Sequence, residues 1–185
     1  MTTAPVGRPR DEELTEKVLA TTYQMLDEQE YAEISLVKIA ERAGVSRKAL
    51  YSRWSNKCEL VIEAFNLFNP PTLPPLQTTI KAQLLAYIEQ SVAVINQNSA
   101  LFRNVLADIL AQPKSFEFFE AAFSLPRQQV YQHLIQQGIE NGEFEANTDI
   151  PLVSECLSAI FRQRILQEKK IDILFIEKVV EMLLE

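Results

Sequence analysis

An all-α fold in two parts is predicted for this chain of 185 residues: an N-terminal three-helix helix-turn-helix domain and a C-terminal helical bundle. Apolar residues recur at helical spacing along most of the length, and no convincing strand, repeat or low-complexity tract interrupts them. Between Leu36 and Trp54 the pattern tightens into two short helices around a turn. From Asn69 to Pro75, four prolines in seven residues stop any helix and mark a boundary. The expected domains are therefore residues 1–68, a proline-rich linker at 69–75, and residues 76–185. A stiff linker suits the transmission of a rotation between domains, although a plain spacer is the simpler reading.

Residues 1–10, with Gly7-Arg8-Pro9-Arg10, read as a flexible arm. Its arginines suit a narrow A·T-rich minor groove, and a floppy tail is an equal alternative. Helix 1 is expected from Asp11, where Asp11, Glu12 and Glu13 suit the positive end of the helix dipole, through residue 28. Leu14, Val18, Leu19, Tyr23, Met25 and Leu26 form its inward stripe. Ser35 caps a second helix starting at Leu36, with Ile39 and Ala40 inward and Ala40 small enough to let the next helix cross closely. Gly44 sits where the backbone turns sharply and a positive φ is needed. Ser46 caps the third helix, from Arg47 to about Arg53, and Leu50 latches it to the seam. Asn56 can cap a fourth helix with Leu60, Val61, Ala64, Phe65 and Phe68 on one face.

Past the linker a long helix is expected from Leu76, carrying Ile80, Leu84, Tyr87, Ile88, Val92 and Ile95 at helical spacing. A shorter helix holds Leu101, Phe102, Val105, Leu106, Ile109 and Leu110 before Pro113, and Phe116, Phe118, Phe119 and Phe123 crowd the next segment. Pro126 is expected to open a helix that ends at Gly138 to Gly142. Asp149 with Pro151 opens another, and Asp172 the last, where Ile173 to Leu184 leave little polar surface.

Net charge is −7, which taken whole argues against a nucleic-acid partner. Its distribution reverses that. Ser35 to Lys57 holds six basic residues (Lys38, Arg42, Arg47, Lys48, Arg53, Lys57) against Glu41 alone, a net of +5, whereas Val61 to the end holds nine basic and fifteen acidic residues, a net of −6. A basic module on an acidic body suits DNA binding through one face. Charge alone would equally fit two solvated helices; the helix-turn-helix spacing favours double-stranded DNA.

The third helix turns Arg47, Lys48, Tyr51, Ser52 and Arg53 outward. Arg47 and Lys48, in its first turn, can donate to guanine O6 and N7, arginine with the better two-pronged fit, and Ser52 can add a weaker contact. Ser46 completes this DNA-facing set.

Gly44-Val45-Ser46, Ala49-Leu50-Tyr51, Trp54, Asn56-Lys57 and Leu60 resemble the DNA-binding region of tetracycline-repressor-type (TetR family) regulators. The resemblance spans Leu14 to Phe68, about a third of the chain, and beyond it is architectural only. It implies that Ser35, Tyr51, Arg53 and Lys57 hold phosphates, although the Tyr51 ring could also pack in part on helix 1. Two departures are visible: Ala49 stands where many members carry threonine, and Trp54 where phenylalanine is commoner.

One motif of this size reads only a few base pairs, so a homodimer is expected. Its interface is sought on the last two helices, at Leu157, Phe161, Phe175 and Val179; the alternative is that these complete the monomer core. Tyr87, Phe102, Phe116, Phe119, Phe123 and Tyr131 can wall a pocket for a small-molecule effector, or be plain core. Resemblance to the family favours the pocket, because its members commonly release DNA when a ligand binds this region. A repressor released by an apolar ligand is the resulting expectation, with a protein-interaction module on a helix-turn-helix scaffold as its rival. Exposed apolar anchors would mark that rival, and the basic set on the third helix argues against it. His133 could add a polar contact to the pocket.

Enzyme chemistry is not expected. One histidine and the distant Cys58 and Cys156 make no metal site, four glycines make no phosphate loop, and no cofactor is implied. A redox switch at either cysteine is conceivable, with inert thiols the plainer reading. Absence of a signal peptide, of a membrane span of roughly 18 apolar residues and of a disulfide framework suggests a cytoplasmic protein with no membrane partner.

Overall fold

The computed structural model describes the backbone from Arg8 to Leu184 and side chains from Glu12 onward. Residues 1–7 of the expected arm lie outside the described residues. The chain divides into two compact units between Phe68 and Asn69. Among the described residues every regular element is helical.

The N-terminal unit comprises α1 (Arg8–Glu28), a 3-10 turn (Tyr31–Glu33), α2 (Leu36–Ala43), α3 (Arg47–Tyr51) and α4 (Lys57–Phe68). Helix α1 begins three residues before the expected Asp11, since Pro9 fits a first helical turn, where its missing N–H has no partner to lose. Val18, Leu19, Met25, Ile39, Ala40, Leu50, Trp54, Leu60 and Ala64 form one buried cluster. Burial of this apolar surface is the main force holding such short helices, which would be marginal alone. Phe68, expected on the inward face of α4, is 45% exposed and stacks on Tyr23 at 4.4 Å.

Helix ends in this unit are closed by side chains. Asn56 Oδ1 accepts from the Glu59 backbone N–H at 3.0 Å, and the Glu59 carboxylate accepts from the Ser55 N–H at 2.8 Å, a reciprocal cap on α4. The Trp54 indole donates to Glu63 at 2.6 Å, a bond that phenylalanine at this position could not make.

The C-terminal unit comprises α5 (Ile80–Gln97), α6 (Ser99–Leu110), α7 (Pro113–Phe119), α8 (Leu125–Glu140), α9 (Ile150–Leu166) and α10 (Ile173–Leu184). Helix α5 starts at Ile80 rather than Leu76, whose side chain is 94% exposed. The start is fixed by acceptors: Thr79 Oγ1 takes the Ala82 N–H, and the Glu143 carboxylate takes those of Ile80 and Lys81 at 2.9 and 3.0 Å. Helix α8 carries Pro126 in its first turn, as expected, but it is joined to α7 without a break by a π turn at Glu120–Ser124. Pro126 lacks the N–H that an α ladder needs there, and the Leu125 N–H reaches back five residues to the Glu120 carbonyl.

Gly138 lies inside α8 rather than at its end. A Cβ there would sit 2.1 Å from the Phe144 ring, so only glycine lets that ring lie on the helix. The chain turns instead at Gly142, with φ 74°. Phe144 then joins Leu84, Tyr87, Ile88, Tyr131, Leu134, Ile135, Leu157, Phe161 and Val180 in one core.

Candidate nucleic-acid interface and ligand cavity

The turn between α2 and α3 follows from three residues. Gly44 adopts φ 66° and ψ 35°, and the Val45 N–H bonds the Ala40 carbonyl at 3.0 Å, closing α2 in left-handed geometry. Ser46 then starts α3 by accepting the Ala49 N–H at 3.1 Å. Ala40 and Leu50, 1% and 0% exposed, fill the seam. The Arg42 guanidinium donates two bonds to Glu28, at 2.5 and 2.6 Å, and so ties α2 to α1. That pairing holds the Glu28 carboxyl below its ordinary range and raises Arg42.

The expected DNA-facing residues then fall into two groups. Arg47, Lys48 and Tyr51 of α3 and its C-cap Ser52 are exposed. Tyr51 is 53% exposed. Arg47 donates to Glu41 at 2.8 Å in a pair whose side chains are 60% and 63% exposed, so little holds it there. Arg53 and Lys57 are half-buried and turned onto the protein's own backbone. Arg53 donates to the Ala49 carbonyl at 2.9 Å, while Lys57 donates to the Tyr31 carbonyl at 2.9 Å and lies 3.8 Å over the Tyr31 ring. Ser35 and Ser46 are both caps, of α2 and α3. Helix α3 ends at Tyr51, two residues before the expected Arg53, because Ser52 Oγ and Arg53 both bond the Ala49 carbonyl.

A second candidate site lies within the C-terminal unit. Residues of α5, α6, α7, α8, α9 and the π turn surround a partly open cavity with about 580 Å³ of empty space, mouth included. Its enclosed volume is only about 60 Å³, so the space is narrow. Phe102, Phe119, Phe123 and Tyr131 line it, joined by Val92, Leu106 and Ile165. Tyr87 and Phe116 do not line it. Tyr87 is 1% exposed in the core, edge-on to Tyr131 at 5.5 Å, and Phe116 lies under the Arg162 guanidinium at 5.9 Å. His133 is exposed on the far side of α8.

Sequence reasoning missed the polar part of this lining: Ser91, Ser124, Arg127, Ser158 and Arg162. A signal existed for Arg127, which is four residues after Phe123 and four before Tyr131, on one helical face. Arg127 lies 3.7 Å over the Phe123 ring and donates to the carbonyls of Phe123 (3.0 Å) and Asn69 (3.1 Å). Burial disfavours its charge and lowers its pKa, and burial likewise raises those of Tyr87 and Tyr131. Arg162 donates to Glu120 at 2.8 Å.

The expected dimer residues are largely covered within the single chain. Leu157, Phe161 and Val179 are 0%, 5% and 5% exposed within the single chain, and Phe161 lines the cavity. Phe175 is half-buried under the Arg164 guanidinium, 4.0 Å from its ring. Helices α9 and α10 are apolar on more than one face, and periodicity alone does not say which faces inward. Leu152, Ile173, Leu174 and Met182 are the large apolar side chains they leave outside, 55%, 37%, 66% and 68% exposed.

A capped turn, a buried seam and an exposed polar helix define a helix-turn-helix DNA-binding regulator. The profile described as "Bacterial regulatory proteins, tetR family" matches residues 18–64, and "Tetracyclin repressor-like, C-terminal domain" matches residues 74–183. The chain belongs to the TetR family of transcriptional regulators. Among relatives, the uncharacterised HTH-type transcriptional regulator YdeS of Bacillus subtilis (strain 168) is 29% identical over 146 residues, 78% of this chain and 74% of that protein. The uncharacterised HTH-type transcriptional regulator Mb1581 of Mycobacterium bovis is 28% identical over 139 residues, 75% and 67% of the two chains. Among solved structures, the TetR family regulator SCO0332 superposes with a TM-score of 0.78 at 18% identity, covering 92% of this chain and 97% of that one. FadR from Bacillus subtilis, solved in complex with stearoyl-CoA, gives 0.59 at 16% identity, covering 92% and 97%. No described helix is long and apolar enough to cross a membrane.

Proposed function

We propose that this regulator is a repressor that binds a palindromic operator as a homodimer and leaves it when a small, largely apolar ligand enters the C-terminal cavity. The observation that carries this reading is the pairing of an exposed basic α3 with a separate unit holding an apolar, narrow cavity. Arg47 and Lys48 read base edges, with Ser52 secondary. Tyr51 and Ser35 hold phosphates directly, and Arg53 and Lys57 hold them with whatever donors their backbone bonds leave over. Dimerisation uses the outward strip of Leu152, Leu174 and Met182, since apolar side chains of this size are better covered than wet. Ligand favours one conformation and so shifts the population away from the DNA-competent one. The fold's capacity for such ligands is supported by the FadR neighbour, whose own complex holds an acyl-chain compound.

The test is selection of random DNA fragments by the purified protein, with Arg47→Ala as control. An enriched palindrome is expected, degraded in the mutant at one base position by a factor equivalent to about 1–3 kcal/mol. Enrichment of nothing at low and moderate salt, or equal losses on cognate and random DNA, would overturn it.

A further inference from the structure

The Tyr87 hydroxyl is buried with no hydrogen-bond partner, and Tyr87 is 1% exposed. Buried hydroxyls are nearly always satisfied, so one that is not marks a place where an acceptor is missing. Arg127 acts on this hydroxyl through its charge and Ser91 lies beside it, and both line the cavity. The cavity therefore presents the Arg127 guanidinium, with the neutral Tyr87 phenol next to it behind the lining. Burial keeps Tyr87 protonated, so its O–H remains able to donate. At the other lining cation, Arg162, an incoming anion would meet Glu120 already seated at 2.8 Å.

Arg127 also reaches out of the cavity. Its Nη2 donates to the carbonyl of Asn69, the residue that follows the last residue of α4. A neutral carbonyl is a weaker acceptor for a guanidinium than a carboxylate, which takes two parallel bonds. An anion in the cavity and the Asn69 carbonyl thus compete for one side chain.

We propose that the cavity is built for an amphipathic acid, a slender apolar body with one carboxylate met by Arg127, which the neighbouring Tyr87 hydroxyl supports from behind the lining, and that Arg127 reports its arrival by releasing Asn69. This rests on the ligand-responsive reading above. Loss of the Arg127 bond alters the restraint on the residue that follows α4, and operator binding weakens with it. The three lining serines tolerate a wet mouth, while Phe102, Phe119, Phe123 and Leu106 take the apolar body.

The experiment is calorimetry on the full-length protein without DNA, using straight-chain carboxylates from hexanoate to tetradecanoate, each with its matched alcohol. The acid of best length should bind at least tenfold tighter than its alcohol. Arg127→Gln should erase that difference and leave alcohol binding unchanged, and Tyr87→Phe, which keeps the packed ring, should reduce it several-fold. In a second arm, fluorescence anisotropy with the selected DNA should show weaker binding by Arg127→Gln without any acid, and a blunted release when acid is added. Equal binding of acid and alcohol, binding of neither, or equal weakening of both by Arg127→Gln overturns the ligand class. Wild-type DNA affinity and acid release in Arg127→Gln overturn the reporting role. The parent reading fails on the DNA selection instead, so the failures are told apart.

Discussion

In the N-terminal unit, the side chains facing outward and those holding the fold together are different residues. Arg47, Lys48, Tyr51 and Ser52 are exposed, while Ile39, Ala40, Leu50, Trp54 and Leu60 are buried beneath them. In the C-terminal unit the two roles fall on the same residues. Tyr131 and Phe161 belong to the main core and also line the cavity. The difference has a physical origin: a groove of DNA is met by a convex surface, whereas a small molecule must be surrounded. It follows that the reader can change its sequence preference at little cost in stability, while the cavity cannot change its ligand without disturbing packing.

The harshest test of that contrast sets Phe161→Ala against Arg47→Ala. Truncating a buried phenylalanine typically costs about 3–5 kcal/mol, and the low end is expected here because one side of the ring already borders empty space. Arg47→Ala removes only an exposed side chain and should move stability by less than about 0.5 kcal/mol. Denaturant unfolding followed by far-ultraviolet circular dichroism checks the whole chain. The single tryptophan, Trp54, is buried in the N-terminal core, so its fluorescence follows that unit separately. Comparable losses for the two variants would break the contrast.

A gentler perturbation sharpens it within the C-terminal unit. Gly138→Ala puts a methyl where the Phe144 ring lies, and overpacking of this kind costs about 1–3 kcal/mol. Phe144→Leu in the same background should restore part of it, because a narrower side chain can leave the helix surface clear. A Gly138→Ala variant as stable as the wild type would mean that Phe144 moves aside freely, and that this core is less rigid than its packing implies.

How much of this could be read from residues alone follows the same division. Ser35, Gly44, Ser46, Leu50 and Asn56 each act through local rules of capping and turning, and each sits in the structure as those rules require. The Glu143 cap on α5 joins residues 62 and 63 positions apart, and Gly138 answers to a ring six residues on, so spacing pointed to neither. The aromatic residues were visible as a group, yet which of them face the cavity depends on the π turn that re-aims Phe119 and Phe123. Leu157, Phe161 and Val179 were legible as apolar and helical but not as inward, since α9 and α10 carry apolar residues on both faces. Arg127 was overlooked because a cation in an apolar stripe reads as a solvated charge unless its i±4 neighbours are considered together.

The smallest expected effect concerns the reader itself, where Glu41 is the acidic side chain bonded to Arg47. This pair is exposed on both sides, so water and salt already weaken it, and losing it should leave unfolding almost unchanged. For DNA the balance differs. A carboxylate beside the recognition helix repels phosphates and competes with them and with guanine for the same guanidinium. Glu41→Gln should therefore tighten binding, by about two- to fivefold on the scale of an exposed ion pair. The gain should shrink as salt rises, since it is electrostatic at an exposed site. Anisotropy titrations of wild type and Glu41→Gln on the selected DNA, at two ionic strengths, measure both. A looser complex would mean that Glu41 orients Arg47 toward its base rather than withholding it, and that the reading surface is held in place by its neighbours as the cavity is by its own.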